Sequence, residues 1–133
     1  MIRVEFDGAC EPKNPGGIAT WGFVVYKDRE WIHEDSGIYS YCGTGNEAEL
    51  SAVLEALRYL ADHGLKSDRI AVHGDSKLVI NCCNGDWKLR AKNLIPLLWQ
   101  IRELEREFPE VGYYWWPREE NELADLLSRV PYQ

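Results

Sequence analysis

The spacing of apolar residues changes along this chain, and that change limits the possible folds more than any other feature. Ile2, Val4 and Phe6 alternate with polar residues, as in a strand that buries one face. From Glu47 onward the apolar spacing becomes that of an amphipathic helix, which continues until Gly64. Both periods recur later in the chain. The pattern therefore favours a sheet with helices packed on its faces.

The same patterns predict nine elements in the order β-β-β-α-β-α-α-β-α. The predicted strands are 2–7, 20–26, 31–39, 70–73 and 111–116, and the predicted helices are 46–63, 76–82, one after the cap candidate Asn93, and one spanning Leu123, Leu126, Leu127 and Val130. Pro96 is compatible with a helix because it falls in the first turn. The first three strands read as an antiparallel meander. We expect an α/β fold with a mixed five-stranded sheet, formed by residues 1–133 as a single domain.

Composition sets the broad class. A chain of 133 residues with 45% hydrophobic content suits one domain with a sizeable core. No apolar run approaches the roughly 20 residues of a membrane span, and the amino terminus reads as a strand instead of a signal peptide. We therefore expect a cytoplasmic protein without a membrane partner.

The four cysteines (Cys10, Cys42, Cys82 and Cys83) have no CxxC spacing, so reduced thiols are the default.

The formal net charge of −7 argues against a protein that holds nucleic acid by bulk electrostatics. Any polyanionic partner needs local help, either from a basic patch or from bound divalent cations.

Four acidic residues stand at the ends of predicted elements or beside a buried helix face. Asp7 ends the first strand, Glu49 opens the long helix, Asp75 ends the fourth strand, and Asp125 lies on the last helix. If strands one and four are neighbours, their carboxyl ends bring Asp7 and Asp75 together. Oxygen ligands without His or Cys select Mg²⁺ or Mn²⁺ over zinc. Taken singly, each acid is better explained by capping or solvation, and only the combination favours a metal site.

The residues around these acids form a specific combination. It consists of Asp7-Gly8-Ala9-Cys10, Asn14-Pro15-Gly16-Gly17, the run from Thr44 to Leu50, Asp75-Ser76, and the run from Pro117 to Asp125. In order and spacing, across nearly the whole chain, these motifs resemble type 1 ribonuclease H, and in particular its compact, archaeal-like members.

The resemblance implies an enzyme that cuts the RNA strand of an RNA–DNA hybrid. Asp7, Glu49, Asp75 and Asp125 would be both the catalytic residues and the ligands of two divalent ions, one activating a water and the other stabilising the leaving 3′ oxygen. The products would carry 5′-phosphate and 3′-hydroxyl ends. The expected protein is a monomer without an obligate protein partner.

Motif matches also imply substrate contacts. Cys10 and Asn46 would face the RNA minor groove, where the 2′-hydroxyl marks the ribose strand. Thr44 and Asn93 match residues that hold a phosphate of the DNA strand, and Trp87 with Lys88 matches an aromatic–basic pair beside that strand. Each has a structural alternative: Asn46 and Asn93 are good helix caps, Thr44 a loop residue, and Trp87 a core or surface aromatic.

The chain departs from the family pattern at three places. Gly45 replaces a usual asparagine, so one minor-groove hydrogen bond is either missing or supplied by Asn46. The long basic helix is absent, and only Lys88, Arg90 and Lys92 remain in that segment. The loop that often carries a mobile histidine holds Arg118, which either serves at the scissile phosphate or pairs with Glu122.

The sequence leaves three alternatives to hybrid cleavage to be weighed. Six tryptophans are compatible with a stacking platform for single strands, although core packing is expected for Trp21, Trp31, Trp115 and Trp116. A non-catalytic nucleic-acid-binding module is disfavoured because all four acids are present. A structure-specific DNA nuclease is disfavoured by the run from Thr44 to Glu49, which is typical of hybrid-cutting enzymes.

Overall fold

The computed structural model describes residues 1–133 and contains one mixed sheet of five strands with four helices. The elements are β1 (Ile2–Glu11), β2 (Ile18–Lys27), β3 (Glu30–Ser40), α1 (Gly45–Asp62), β4 (Ile70–Gly74), α2 (Lys77–Cys83), α3 (Ile95–Glu105), β5 (Val111–Trp115) and α4 (Glu122–Ser128). The strand order is β3-β2-β1-β4-β5. The first three strands are antiparallel, and β4 and β5 run parallel to β1. The predicted fold class and meander are confirmed.

The main core lies between the sheet and α1. Val4 and Phe6 of β1 meet Leu50 and Leu57 of α1, and all four side chains are fully buried. Burying each such side chain stabilises the fold by roughly 1.5–3 kcal/mol. None of the helices is both long enough and apolar enough to cross a membrane.

The first strand is longer than predicted. Gly8 through Glu11 do not form a turn, because they continue the antiparallel ladder with residues 18–21 of β2. Asp7 therefore lies within β1, opposite Gly22. The parallel pairing with β4 stops earlier, at Glu5 and His73, so Asp7 lies just past the end of that ladder.

Neither of the two cap candidates, Asn46 and Asn93, caps its helix. Thr44 caps α1 instead of Asn46, and its hydroxyl oxygen accepts a hydrogen bond from the backbone N–H of Glu47 at 3.1 Å. Leu94, and not Asn93, occupies the cap position of α3 and makes no side-chain cap bond. The chain already turns before α3, since the carbonyl of Ala91 accepts the N–H groups of Leu94 and Ile95. A side-chain cap is therefore not needed there.

The predicted burial of aromatic and apolar residues is partly wrong. None of the six tryptophans is fully buried, and Trp31 is 54% exposed because β3 is an edge strand. On the last helix Leu126 is 60% exposed, while Ala124, Leu127 and Ser128 face the sheet. Val130 lies beyond α4, in a short 3₁₀ turn.

Two glycines allow helices to touch the sheet beside Asp7. A Cβ atom on Gly8 would lie 2.4 Å from the backbone nitrogen of Glu49, and a Cβ atom on Gly22 would lie 2.4 Å from the backbone nitrogen of Ser128. Both neighbours are backbone atoms, which cannot rotate away. The first contact holds α1 against β1, and the second holds α4 against β2, on either side of Asp7.

Candidate active site

Asp7, Glu49, Asp75 and Asp125 all line one polar cavity with a volume of about 570 Å³. They come from four elements: Asp7 from β1, Glu49 from the start of the second turn of α1, Asp75 from the residue after β4, and Asp125 from α4. The structure thus brings the four acids selected from the sequence to one place. The predicted neighbourhood of strands one and four, which places Asp7 near Asp75, is also present.

Three of the acids form a tight cluster. Carboxylate oxygens of Asp7, Glu49 and Asp75 all lie within 4.8 Å of one another. Asp125 lines the cavity but is not part of this cluster. Like charges at such separations repel strongly in a partly buried site unless protons or cations neutralise them.

Burial dominates the electrostatics of the cluster. It raises the pKa of Asp7 to about 7, with the charge of Asp75 adding to the rise while hydrogen bonds with Glu49 and the Gly8 N–H oppose it. Burial also raises the pKa of Glu49 well above its ordinary value, again helped by its acidic neighbours. Burial also raises the pKa of Asp75, although a backbone hydrogen bond and the charge of Arg118 oppose the rise. In the metal-free protein the cluster therefore favours bound protons.

The donor set fits divalent cations. The cluster offers carboxylate oxygens only, and the buried Oε2 atom of Glu49 has no hydrogen-bond partner. A buried polar atom without a partner is costly, and a cation would satisfy it. Hard oxygen donors of this kind select Mg²⁺, Mn²⁺ or Ca²⁺ over zinc or copper.

Asp125 faces two arginines. Its Oδ1 atom lies 3.4 Å from Nε of Arg129, and its Oδ2 atom lies 3.8 Å from Nη2 of Arg118. Arg118 therefore pairs with Asp125 and not with Glu122, because the segment 118–120 is a 3₁₀ turn that directs it towards the cavity. These two guanidinium groups place positive charge at the rim of an otherwise acidic cavity.

Trp115 also lines the cavity and was expected in the core. Its indole N–H donates to the backbone carbonyl of Asp75 at 3.0 Å, and the ammonium group of Lys77 lies 4.8 Å from the centre of its ring. The side chain is 45% exposed. Trp115 thus fixes the backbone at Asp75 and offers an aromatic surface beside it.

The predicted RNA-facing residues are Cys10, near the end of β1, and Asn46, in the first turn of α1, and they flank the contact between the loop after β1 and the start of α1. The thiol of Cys10 donates to the carbonyls of Lys13 and Gly43, at 3.2 and 3.6 Å. The carboxamide oxygen of Asn14 accepts the N–H of Gly45 at 3.0 Å. A Cβ atom on Gly45 would lie 2.8 Å from the Asn14 amide nitrogen. The Asn14 amide therefore fills the space that a side chain at position 45 would need.

The other predicted contacts lie in a separate segment. Trp87, Lys88 and Asn93 fall between α2 and α3, are exposed, and do not line the acidic cavity. Lys88, like Arg90 and Lys92, forms no ion pair within 4.0 Å. These side chains are free to meet a partner.

Sequence reasoning missed Arg129, Trp115 and the packing role of Asn14. Arg129 stands four residues after Asp125, a spacing at which opposite charges on a helix commonly pair. The sequence therefore contained a signal for the Asp125–Arg129 pair. Nothing in the sequence indicated that Trp115 would reach the backbone of Asp75, because this contact depends on the strand order.

Comparison with known proteins identifies a family model and relatives that match nearly the whole chain. A family model described as reverse transcriptase-like matches residues 5–130. The EbsB protein of Enterococcus faecalis is 30% identical over 136 residues, which cover all of this chain and 95% of that protein. Ribonuclease HI of Halobacterium salinarum is 34% identical over 127 residues, covering 96% of this chain and 62% of that protein. The chain thus spans less than two thirds of the haloarchaeal relative.

Two solved structures extend the comparison. The crystal structure of RNase H1 from Halobacterium salinarum superposes with a TM-score of 0.86 at 31% identity, covering 95% of this chain and 92% of that one. LC11-RNase H1, solved in complex with an RNA/DNA hybrid, superposes with a TM-score of 0.87 at 29% identity, covering 96% of this chain and 93% of that one.

Proposed function

Since this chain belongs to the type 1 ribonuclease H family, we propose that it is a metal-dependent endonuclease that hydrolyses the RNA strand of RNA–DNA hybrids. The observation that carries the proposal is the convergence of Asp7, Glu49 and Asp75 within 4.8 Å of one another. The sequence alone selected these residues by their motifs. A non-catalytic binding module would have no need of so costly a cluster.

The proposed cofactor is Mg²⁺ or Mn²⁺, with two ions per site held by Asp7, Glu49, Asp75 and Asp125. When bound, such ions would activate a water nucleophile and stabilise the leaving oxygen, which would give 5′-phosphate and 3′-hydroxyl ends. The protein's own part is to hold the ligands rigidly. Asp7 sits within a strand and Asp75 is fixed through Trp115, so little reorganisation of the carboxylates is required.

The loop after β1 and the start of α1 are proposed to read the RNA strand. Asn46 is exposed and makes no side-chain hydrogen bond, so its amide is free to meet base edges or a 2′-hydroxyl. Cys10 lines the same junction. The amide nitrogen of Asn14, which lies against Gly45, would supply the donor that an asparagine at position 45 would otherwise provide.

The DNA strand is proposed to lie against Thr44, Asn93, Trp87 and Lys88. The oxygen of Thr44 already accepts the N–H of Glu47, but its hydroxyl hydrogen remains available for a phosphate oxygen. The exposed ring of Trp87 and the unpaired ammonium of Lys88 would pack beside the strand and neutralise a phosphate. Arg118 at the cavity rim is a further candidate for a phosphate contact.

We also propose that residues 1–133 act as one catalytic domain and as a monomer. Light scattering after size exclusion, with and without hybrid, would test this. The cytoplasmic location expected from the sequence stays a prediction.

The activity is tested by incubating the protein with a labelled RNA–DNA hybrid, duplex RNA and duplex DNA, each with Mg²⁺, Mn²⁺ or chelator. We expect cleavage of the RNA strand of the hybrid only, and only with metal. A duplex in which a short ribonucleotide run is embedded in DNA should be cut only within that run. Equal cleavage of duplex DNA would assign the protein to the structure-specific DNA nucleases, and binding without cleavage in either metal would indicate a binding module.

A further inference from the structure

Arg129 links two carboxylates that belong to different elements. Its Nε atom lies 3.4 Å from Oδ1 of Asp125, and its Nη1 atom donates to Oε1 of Glu11 at 3.1 Å. Glu11 is the last residue of β1, the strand that carries Asp7. The guanidinium group therefore joins the strand that carries Asp7 to the helix that carries Asp125.

Among the four acids, Asp125 is the one left outside the tight carboxylate cluster. It lies on α4, a helix of only seven residues whose outer side is exposed at Leu126. Two side chains contact its carboxylate and can orient it. The arginines on its two oxygens are the candidates.

The two arginines are not equivalent. Arg118 has a side chain that is 70% exposed, lies 3.8 Å from Asp125, and has no second partner. Arg129 is 43% exposed and is bound at both ends, by Asp125 and by Glu11. A guanidinium group presents its donors in a rigid planar fork, so two carboxylates on one fork fix its orientation.

We propose that Arg129, anchored by Glu11, is a positioning residue that holds the Asp125 carboxylate in the orientation needed for metal binding. The inference relies on the proposed function for the reaction itself. A direct contact of Arg129 with a substrate phosphate is the competing explanation, and a general offset of the negative charge in the cavity is another. Positioning, a phosphate contact and a charge offset predict different results in the two tests that follow.

The kinetic test compares Arg129→Gln, Arg129→Lys and Glu11→Ala. Positioning residues behind metal ligands typically contribute 10–100-fold to activity, so Arg129→Gln should lower kcat by about tenfold or more, with KM changed by less than about twofold. Arg129→Lys should recover part of the loss, because it keeps the charge but not the fork. Glu11→Ala should lower kcat less than Arg129→Gln does. Adding Glu11→Ala to Arg129→Gln should cause no further loss, because Glu11 acts through Arg129.

A raised KM with unchanged kcat in Arg129→Gln, together with normal kinetics for Glu11→Ala, would overturn the proposal in favour of a phosphate contact.

A second test measures Mn²⁺ binding without substrate, by calorimetric titration. Arg129→Gln should weaken Mn²⁺ binding when Asp125 is present, and should have no further effect in the Asp125→Asn protein. If Arg129 merely offsets charge, its removal would tighten binding by the same factor in both backgrounds. That result, or unchanged binding in both, would contradict the positioning role.

The control is Arg106→Gln, which removes the same charge from an exposed pair with Glu103 at the end of α3, outside the acidic cavity, and should leave kinetics and Mn²⁺ binding unchanged. Circular dichroism and thermal melting verify that each variant folds. If Arg129→Gln does not fold, Arg129→Lys and Glu11→Ala carry the test. Failure of the proposed function is distinguishable, because the wild-type protein would then not cut the hybrid at all, whereas failure of this inference leaves wild-type cleavage intact.

Discussion

The side-chain amide of Asn121 donates a hydrogen bond of 2.8 Å to the backbone carbonyl of Phe6, the residue before Asp7. Asn121 is fully buried, and its carboxamide oxygen also accepts the indole N–H of Trp116 at 3.1 Å. One side chain thus joins the end of the loop after β5 and the start of α4 to the centre of β1. It sets where α4, and with it Asp125, stands relative to Asp7.

Replacing Asn121 by Ala should destabilise the protein by about 2–5 kcal/mol, because the buried carbonyl of Phe6 and the half-buried indole N–H of Trp116 lose their partners. Activity should fall as well, since α4 loses its tie to β1. Urea unfolding monitored by tryptophan fluorescence measures the first effect. Asn81→Ala, which removes a side-chain bond to the carbonyl of Lys77 on the surface of α2, should stay within about 0.5 kcal/mol of the wild type. Equal losses of unfolding free energy in the two variants would show that the buried hydrogen bonds of Asn121 stabilise the protein no more than a surface bond does.

The acidic cluster should make metal-free stability depend on pH. Burial raises the pKa of Asp7 from 3.8 to about 7, so the folded state holds a proton that the unfolded state releases. This stabilising contribution is present below the ordinary pKa and is lost as the pH rises through the folded value. In chelator, the melting temperature should therefore fall between about pH 4 and about pH 7.

Asp7→Asn tests that origin, because an amide does not titrate. Near pH 8 in chelator this variant should melt at least about 3 °C higher than the wild type, and its pH dependence over this range should be flatter. Added Mg²⁺ should stabilise the wild type more than the variant. An identical pH dependence in both proteins would show that Asp7 is not the group that holds the proton.

Gly8→Ala should disturb the site without removing any ligand. The new Cβ would lie 2.4 Å from the backbone nitrogen of Glu49, so α1 must move away from β1. Overpacking of this kind typically costs about 1–3 kcal/mol. Because the shift carries Glu49 away from Asp7, Mn²⁺ binding and cleavage should fall more than stability alone explains. Normal metal binding in a folded Gly8→Ala protein would contradict the close contact.

An acidic protein can hold a polyanion only through a few local contacts. If Lys88, Arg90 and Lys92 are the main ones, the log–log salt slope of hybrid binding should be about −3. Replacing Lys88 or Lys92 by Ala should flatten it by about one unit and raise KM while kcat is largely kept. The measurement uses Asp7→Asn protein, which we expect not to cut, across a salt series. Lys66→Ala, whose ammonium pairs with Glu107, and Glu119→Ala are the controls. An unchanged slope in the Lys88 and Lys92 variants would place the nucleic acid on another face.

Much of the fold follows from local patterns. The period-two run in β1 and the helical stripe that begins near Leu50 predicted their elements to within a few residues. The errors occurred where tertiary contacts override local preference. Asp7 was expected at a strand end, yet the ladder with β2 carries β1 on to Glu11.

The candidate site likewise has parts that the sequence could predict and parts that depend on tertiary contacts. The four acids could be selected because their motifs are specific and their strand or helix positions converge at one edge. The contacts that hold these four acids in place could not be predicted from the sequence. Trp115 reaches Asp75 only because β5 lies beside β4, and Glu11 meets Arg129 only because β1 extends past Asp7. Such contacts join residues 40 or more positions apart, beyond the reach of any local pattern.

The most direct test of the account is cleavage of a 5′-labelled RNA–DNA hybrid by wild-type, Asp7→Asn and Asp75→Asn proteins in Mg²⁺. The wild type should cut the RNA strand and leave 3′-hydroxyl ends. Both variants should fold, as judged by circular dichroism and thermal melting, and should show no cleavage above the chelator control, because each loses a proposed metal ligand. Near-wild-type, Mg²⁺-dependent cutting by folded Asp7→Asn protein would contradict the assignment of this cavity as the catalytic site.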